Sequence, residues 1–457
     1  MKLSPLCKAL WMLPAIPLSA ALAQSPLTLA EAVDRARSLY PAVAVSRARV
    51  EAAAAAIRLA RTSYLPRLDA LAQANRATRN NIYGMLLQQS IISPISGPPV
   101  LQNSAASVFG SAVGVLIDWE PFDFGQRKSQ VELAEATRRR REAAVVRTQF
   151  EAGAAAADAF LTILAAQETV KAAQASVDRS KVLLTSVDAL VRAELRPGAD
   201  SSIARSELAA AQAQVVRGGQ AVADAKAVLA GLIGESPANA VPKPLAASAD
   251  EAPEPSREVN ANPLAREQDA AVEEAKARVH TLDHQWAPRF SLEGTSYARG
   301  TGARPDFTTL GGANGLAPSY YNWGLGFTVR FPILDQPAVR ARQAEQSASL
   351  RAEESRYQLV LTDLETRRHR ALAALEAARE LAKLAPVQLE SARAAETQAR
   401  ARYQAGLATI VEVADVARTL TQAEIDHALA RLNVWRSLLA LRIAEGDLTP
   451  LLEKAGR

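Results

Sequence analysis

The sequence predicts a mainly α protein with a transmembrane β-barrel: four strands per protomer plus long coiled-coil helical hairpins, in two internal repeats. Three observations predict it. First, alternating strands end twice at a turn built on Pro, an apolar residue and Asp. Copy one is Pro121-Phe122-Asp123-Phe124-Gly125 and copy two is Pro332-Ile333-Leu334-Asp335-Gln336. Asp123, Gly125 and Asp335 are the expected strand-to-helix turn residues. Second, a helical run follows each turn, from Gln126 to about Leu195 and from about Pro337 to Gln404. At 1.5 Å per residue each run is roughly 105 Å long, whereas globular helices average roughly 11–12 residues. Third, no segment after the leader offers 18 consecutive apolar residues, so entry into a membrane must use strands, which span in roughly 9–11 residues.

Residues 1–23 read as a secretory signal. Lys2 and Lys8 precede an apolar Leu10–Leu22 stretch, and Ala21-Leu22-Ala23 is a small-residue cleavage site. Pro14 and Pro17 interrupt the stretch, which is short for a span. Cys7 is the only cysteine and lies before the cleavage point. The mature chain is therefore expected to be unlipidated, without disulfides or cysteine-bound metal.

The first repeat occupies 24–233. It opens with a helix from about Thr28 to Ser63, where Thr28 and Glu31 have capping-box spacing. Tyr64-Leu65-Pro66-Arg67-Leu68 leads into a strand over about 66–77. A polar loop from about Thr78 to Ser107 carries Pro94, Pro98 and Pro99, and a second strand covers about 108–120. In the long helix, Phe150, Ala154, Ala157, Leu161 and Leu164 step 4-3-4-3, and Leu183, Val187 and Leu190 step 4-3. Arg196-Pro197-Gly198-Ala199 turns the chain at 196–199, and a helix returns to about Ile233. Residues 234–263 are Pro/Ala-rich, carry Glu251, Glu254 and Glu258, and read as a linker.

The second repeat occupies 264–445. A helix from about Asn262 to Gln285 leads to Trp286-Ala287-Pro288-Arg289-Phe290, matching the aromatic-x-Pro-Arg junction of the first. Strands cover about 289–298 and 321–331, with a Gly-bearing loop from about Gly300 to Tyr320. Tyr321, Trp323, Leu325, Phe327, Val329 and Phe331 alternate with Asn322, Gly324, Gly326, Thr328 and Arg330. The long helix turns at Gln404-Ala405-Gly406-Leu407-Ala408 and returns to about Ala444. Residues 446–457 are a short tail. Glycine provides the backbone freedom that ends a helix tightly, and Gly198 and Gly406 are expected to do so at the two tips.

Composition narrows function. Formal charge is +5, and +3 once Lys2 and Lys8 leave with the leader, so nucleic acid is not an expected partner. Arg138-Arg139-Arg140-Arg141 lies among Glu132, Glu135 and Glu142 and reads as a solvated helix end. His280 and His284 have i,i+4 spacing without a third ligand. No nucleophile elbow, phosphate loop or metalloprotease motif occurs, so no enzyme activity, metal or cofactor is expected. Trp119, Trp286 and Trp323 fit aromatic girdles, with a packed-core position also open to Trp286. Four strands cannot close a membrane barrel, whose minimum is about eight. Two chains would reach eight, with an interior filled by side chains, and three reach twelve, the first count that leaves an open lumen, so a homotrimer in outer-membrane lipid is expected.

The chain resembles the TolC-type outer-membrane efflux channels over nearly its whole mature length. The strand–strand–hairpin repeat, the tip glycines and the Pro-Phe-Asp-Phe-Gly turn carry the resemblance. Its most specific stretch is Tyr403-Gln404-Ala405-Gly406-Leu407-Ala408-Thr409-Ile410-Val411-Glu412-Val413-Ala414-Asp415. The resemblance implies a trimeric exit duct in a Gram-negative outer membrane, its helical hairpins forming an α-barrel that serves as a periplasmic tunnel. It implies docking on a periplasmic adaptor protein and an inner-membrane pump of RND or ABC type, for efflux or type I secretion. It assigns Tyr403, Glu412 and Asp415 to the periplasmic gate, the acids as rings. Pro197, Gly198, Ala199, Ala405, Gly406 and Leu407 become the adaptor-docking tips. The family's arginine falls on Ala408 here. The rival expectation is a structural or adhesive periplasmic coiled-coil protein with a small soluble sheet.

Overall fold

The computed structural model describes residues 27–78, 105–236, 242–243, 245, 258–306 and 308–455. The leader with Cys7, most of the loop after the first strand and most of the linker lie outside those residues. The first helical segment is two helices, α1 (Leu29–Leu39) and α2 (Pro41–Thr62), where one was expected. Pro41 cannot donate an amide and holds Tyr40 at φ −59°, ψ 127°, outside the helical region. The capping box forms: the Glu31 amide donates to Thr28 Oγ1 at 3.2 Å, and the Thr28 amide donates to Glu31 Oε2 at 2.9 Å.

Strands β1 (Arg67–Thr78), β2 (Ser107–Phe122), β3 (Arg289–Thr301) and β4 (Tyr320–Arg330) form one antiparallel sheet in the order β1-β2-β3-β4. Register sorts the side chains into two faces. Leu68, Ile117, Gly294 and Leu325 lie in one row, followed by Ala70, Val115, Ser296 and Trp323, then Ala72, Val113, Ala298 and Tyr321. Rows of the opposite face include Arg67, Asp118, Glu293 and Gly326, then Asp69, Leu116, Thr295 and Gly324. The apolar face is uncovered: Tyr321, Trp323 and Leu325 are about 70% exposed in the single chain. An exposed aromatic band with a polar reverse is the pattern of a barrel wall that meets lipid. Trp286 is exposed rather than packed in a core.

The helices carry the length. α3 (Gln126–Arg192) has 67 residues and returns through α4 (Gly198–Ile233). α6 (Gln336–Gln404) has 69 and returns through α7 (Ile410–Glu445). At 1.5 Å per residue, α3 and α6 are about 100 Å long. α6 continues through Pro386, which leaves one carbonyl without its helical donor. α5 (Pro263–His280) stops short of the expected Gln285, and the Thr281 hydroxyl donates to the Arg278 carbonyl at 2.7 Å to close its last turn. Helix α8 (Thr449–Lys454) ends the described chain. Among the described residues, no helix is long and apolar enough to cross a membrane.

The main core lies midway along the hairpins. There Val33 of α1, Phe160 and Leu161 of α3, Leu229 of α4, Leu375 of α6, Trp435 of α7 and Leu451 of α8 meet. Arg442 and Glu445 are buried beside it as an ion pair at 2.7 Å. Asn262 donates to the Ile443 and Ala444 carbonyls, both at 3.0 Å, and so ties the start of α5 to the end of α7.

Candidate functional site

The two tips share one backbone design. Each long helix ends with a residue in the left-handed region, and the next amide reaches back five residues. Leu407 N donates to Arg402 O at 2.8 Å after Gly406 at φ 78°, and Leu195 N donates to Leu190 O at 2.9 Å after Glu194 at φ 57°. These are Schellman-type ends. The partner of Gly406 is therefore Glu194, and the expectation for Gly198 is corrected. Gly198 is the first residue of α4, lies outside the left-handed region, and has no atom within 4 Å of an added Cβ. Pro197 caps that helix, and Ala199 follows in its first turn. With the tips so aligned, Arg196 stands where Ala408 stands in the second.

Arg196 crosses the gap. Its Nη2 donates to the Tyr403 carbonyl at 2.6 Å and to the Ala408 carbonyl at 3.3 Å, and its guanidinium lies 4.4 Å over the Tyr403 ring. Tyr403, only 2% exposed, donates its phenol to Asp200 Oδ2 at 2.8 Å. Burial, then the hydrogen bond to Asp200 and its charge, push the phenol up to about 12, with Arg196 opposing. Leu183, Val187, Ala204, Ile410 and Val413 pack around the ring. Farther from the tip, Arg418 Nε donates to Glu207 Oε2 at 3.1 Å, and its Nη2 also pairs with that carboxylate. Arg179 makes two bonds to Glu424, at 3.0 and 2.7 Å. Each of these links joins the first hairpin to the second.

The two acids expected at the gate differ in their surroundings. Glu412 lies in the first turn of α7, where its amide donates to Thr409 Oγ1 at 3.2 Å and its carboxylate accepts that hydroxyl at 3.3 Å. This is helix-start chemistry. Asp415 is exposed one turn later and follows Glu412 on the same side of α7. Ala405 ends α6, and Leu407 is 71% exposed. Its counterpart Leu195 is equally exposed at 69%.

At the other end of the hairpins, the turns also differ. Asp123 accepts from the Arg127 amide at 2.6 Å, from Arg127 Nε at 2.7 Å and from the Gly125 amide at 3.3 Å. Burial alone would raise this carboxyl. The Arg127 hydrogen bonds and the two amides outweigh burial and hold it below the ordinary carboxylate range. Arg127 also donates to the Ser63 carbonyl at 3.1 Å and to that of Glu120. Gly125 has φ 97°, where L-residues are strained. Asp335 is the cap residue of α6 but makes no side-chain cap bond, and Pro337 stands where Arg127 stands in α3. His284 lies beyond the end of α5 rather than on it, edge-to-face with His280 at 5.2 Å. His280 Nδ1 is 3.4 Å from Glu132. Among the described residues, no three His, Cys, Asp or Glu side chains form a metal-binding group.

Residues 32–235 and 255–447 match the model of the family described as outer membrane efflux protein. The chain belongs to the outer membrane efflux protein family. It is similar to the pyoverdine export outer membrane protein OpmQ of Pseudomonas putida, with 28% identity over 300 residues, 64% of this chain. The match spans 60% of that relative's length. The fold is similar to that of the outer-membrane channel OprN, with 22% identity, a TM-score of 0.72, and coverage of 92% of this chain and 89% of that one. It is also similar to CusC, with 16% identity, a TM-score of 0.75 and 92% coverage of both. Membership sets aside the soluble coiled-coil rival and places the protein in the outer membrane. Sequence reasoning missed Arg196 and its bond to Tyr403. The available signal was Ala193-Glu194-Leu195-Arg196-Pro197 against Ala405-Gly406-Leu407-Ala408-Thr409, hidden by matching Gly198 to Gly406.

Proposed function

We propose that this efflux-family protein is a homotrimeric exit duct, gated at its hairpin tips, that docks on a periplasmic adaptor and an inner-membrane pump of RND or ABC type. The observation that supports it most is the sheet register. Four strands with one exposed apolar face close no barrel alone, and three copies supply twelve. OpmQ's role in pyoverdine export supports a small organic solute as the cargo class. The helices extend into the periplasm as a tunnel, and the mature chain carries no lipid anchor.

The gate consists of the Arg196–Tyr403–Asp200 latch together with Glu412 and Asp415, repeated by symmetry around the tunnel mouth. The docking surface is formed by Pro197, Gly198, Ala199, Ala405, Gly406 and Leu407, with Leu195 added as a second apolar knob. Transport is gated diffusion without bond chemistry. The test is light scattering in mild detergent with planar-bilayer recording of the same preparation. A conducting trimer is expected, and a stable monomer that conducts would overturn the architecture.

A further inference from the structure

Charge is spread unevenly along the strands. The acids of the sheet, Asp69, Asp118, Glu120 and Glu293, lie toward the strand ends that adjoin the helices. From Ala70 to Ile117 the chain holds no Asp, Glu or Lys, and its charges are Arg76 and Arg79. A chain with 48 acids in 457 residues would place about five in a stretch of that length. Between Glu293 and Asp335 the only acid is Asp306. Its carboxylate accepts from the Thr308 amide at 3.0 Å and the Thr308 hydroxyl at 2.6 Å. The end of the sheet remote from the helices is therefore basic.

Within that end, alternation puts Arg76 on the lipid-facing side, above Leu68, Ala70, Ala72 and Ala74 of β1. Among the described strand residues, it is the one charged side chain on that side. An arginine on a lipid-facing strand is costly at the bilayer midplane, and the cost falls toward zero near the interfaces. Arg76 is nine residues beyond Arg67, where β1 begins, so about 30 Å farther along the strand. A strand tilt of roughly 35–45° leaves about 23 Å of height, close to the roughly 25 Å of an apolar band. Arg76 thus reaches the external interface. Its Nε donates to Ser107 Oγ at 2.8 Å, and its guanidinium lies 5.1 Å over the ring of Phe109, its opposite number in register. These contacts fix the plane of the fork, and no carboxylate among the described residues pairs with it. Arg304, exposed in the loop after β3, adds a second guanidinium at the same end.

We infer that Arg76, with Arg304 at its margin, docks the phosphate groups of glycolipids in the external leaflet of the outer membrane. The inference rests on the membrane-barrel reading above and names the lipid that its wall meets. A guanidinium fork takes phosphate oxygens two at a time, and an aromatic ring at headgroup level is where a barrel carries its girdle. Each copy of the chain brings one such point to the rim.

The test uses the full-length protein in mild detergent, native mass spectrometry as the readout and diphosphorylated lipid A as the probe. Wild type should hold lipid A more tightly than its phosphate-free counterpart or phosphatidylcholine. Arg76→Gln should weaken lipid A binding roughly tenfold or more, as expected for losing hydrogen bonds to a charged group, and leave phosphatidylcholine binding unchanged. Arg304→Gln should act in the same direction and less. Millimolar inorganic phosphate should not displace the lipid. Equal binding of the phosphorylated and phosphate-free glycolipids by wild type, or equal lipid A binding by Arg76→Gln, overturns the proposal. Displacement by inorganic phosphate also overturns it, because the site would then take a free anion rather than a lipid. Reconstitution into phosphatidylcholine vesicles keeps the two readings apart. Wild type that carbonate strips from the vesicles overturns the barrel reading together with the proposal. Wild type that resists carbonate yet shows no preference for lipid A overturns the proposal alone. The wild-type comparison decides the matter even where a variant fails to assemble.

Discussion

At the head of α3 the Asp123 carboxylate takes three hydrogen bonds, and Arg127 carries that contact on to the Ser63 and Glu120 carbonyls. At the head of α6, the Asp335 side chain makes no cap bond, and Pro337 stands at the position of the arginine. The tips repeat the contrast. The first hairpin is cross-tied to itself, since Ser201 Oγ donates to Asp188 at 2.5 Å and Arg205 lies 3.7 Å from the same carboxylate. In the second, Thr409–Glu412 and Arg400–Glu396 stay within short local stretches. Toward the tip, the longer ties of the second hairpin reach to the first, through Tyr403–Asp200, Arg418–Glu207 and Arg179–Glu424. One repeat is anchored and the other leans on it. A duct that opens by moving one hairpin would move the second.

The largest expected effect tests the anchored end. Arg127→Ala leaves Asp123 charged and mostly buried, and should cost about 3–5 kcal/mol. Asp335→Asn, at the matching turn, should stay within about 0.5 kcal/mol. Urea-unfolding midpoints of the detergent-solubilised protein compare the two. Equal losses would erase the asymmetry between the repeats.

The next effect tests the leaning tip. Tyr403→Phe removes a hydrogen bond to a charged group, worth about 1.5–3 kcal/mol. It should raise open probability in planar bilayers, and Arg196→Ala should act in the same direction. A pH series sharpens this reading. The phenol ionises near pH 10 in an unfolded chain and at about 12 in the fold. The Tyr403 contribution is therefore complete below pH 10 and lost as pH rises toward 12. Phenolate absorbance should show one tyrosine titrating late in wild type and absent in Tyr403→Phe.

The smallest effects separate the glycines. Gly406→Ala places a side chain in the left-handed region and should cost about 1–2 kcal/mol, while Glu194→Gly should relieve a similar strain. Gly198→Ala should change stability by no more than about 0.5 kcal/mol. Thermal melts rank the three, and a large loss at Gly198 would restore the original tip alignment.

Much of this architecture is legible in the chain because its signals are local. Alternation over Tyr321–Phe331 gives the lipid face, and the long runs show themselves by period and by alanine content. The Asp123–Arg127 spacing is also visible, but the Ser63 and Glu120 carbonyls that complete the contact depend on how α2 and β2 converge. The break between α1 and α2 was legible at Pro41, which has no amide to donate and favours extended geometry at Tyr40. Arg196 escaped notice because its partners lie more than two hundred residues away in sequence.

The central claim, that the second hairpin moves against an anchored first, is tested by spin-label distances within the proposed trimer. Leu195→Cys and Leu407→Cys place a label at the two matching exposed tip positions. Each is measured between protomers by double electron–electron resonance, with and without Tyr403→Phe and Arg196→Ala. The account predicts that the distances from position 407 lengthen and broaden when the latch is removed, while those from position 195 stay fixed. Equal displacement of both positions, or movement confined to 195, would contradict it.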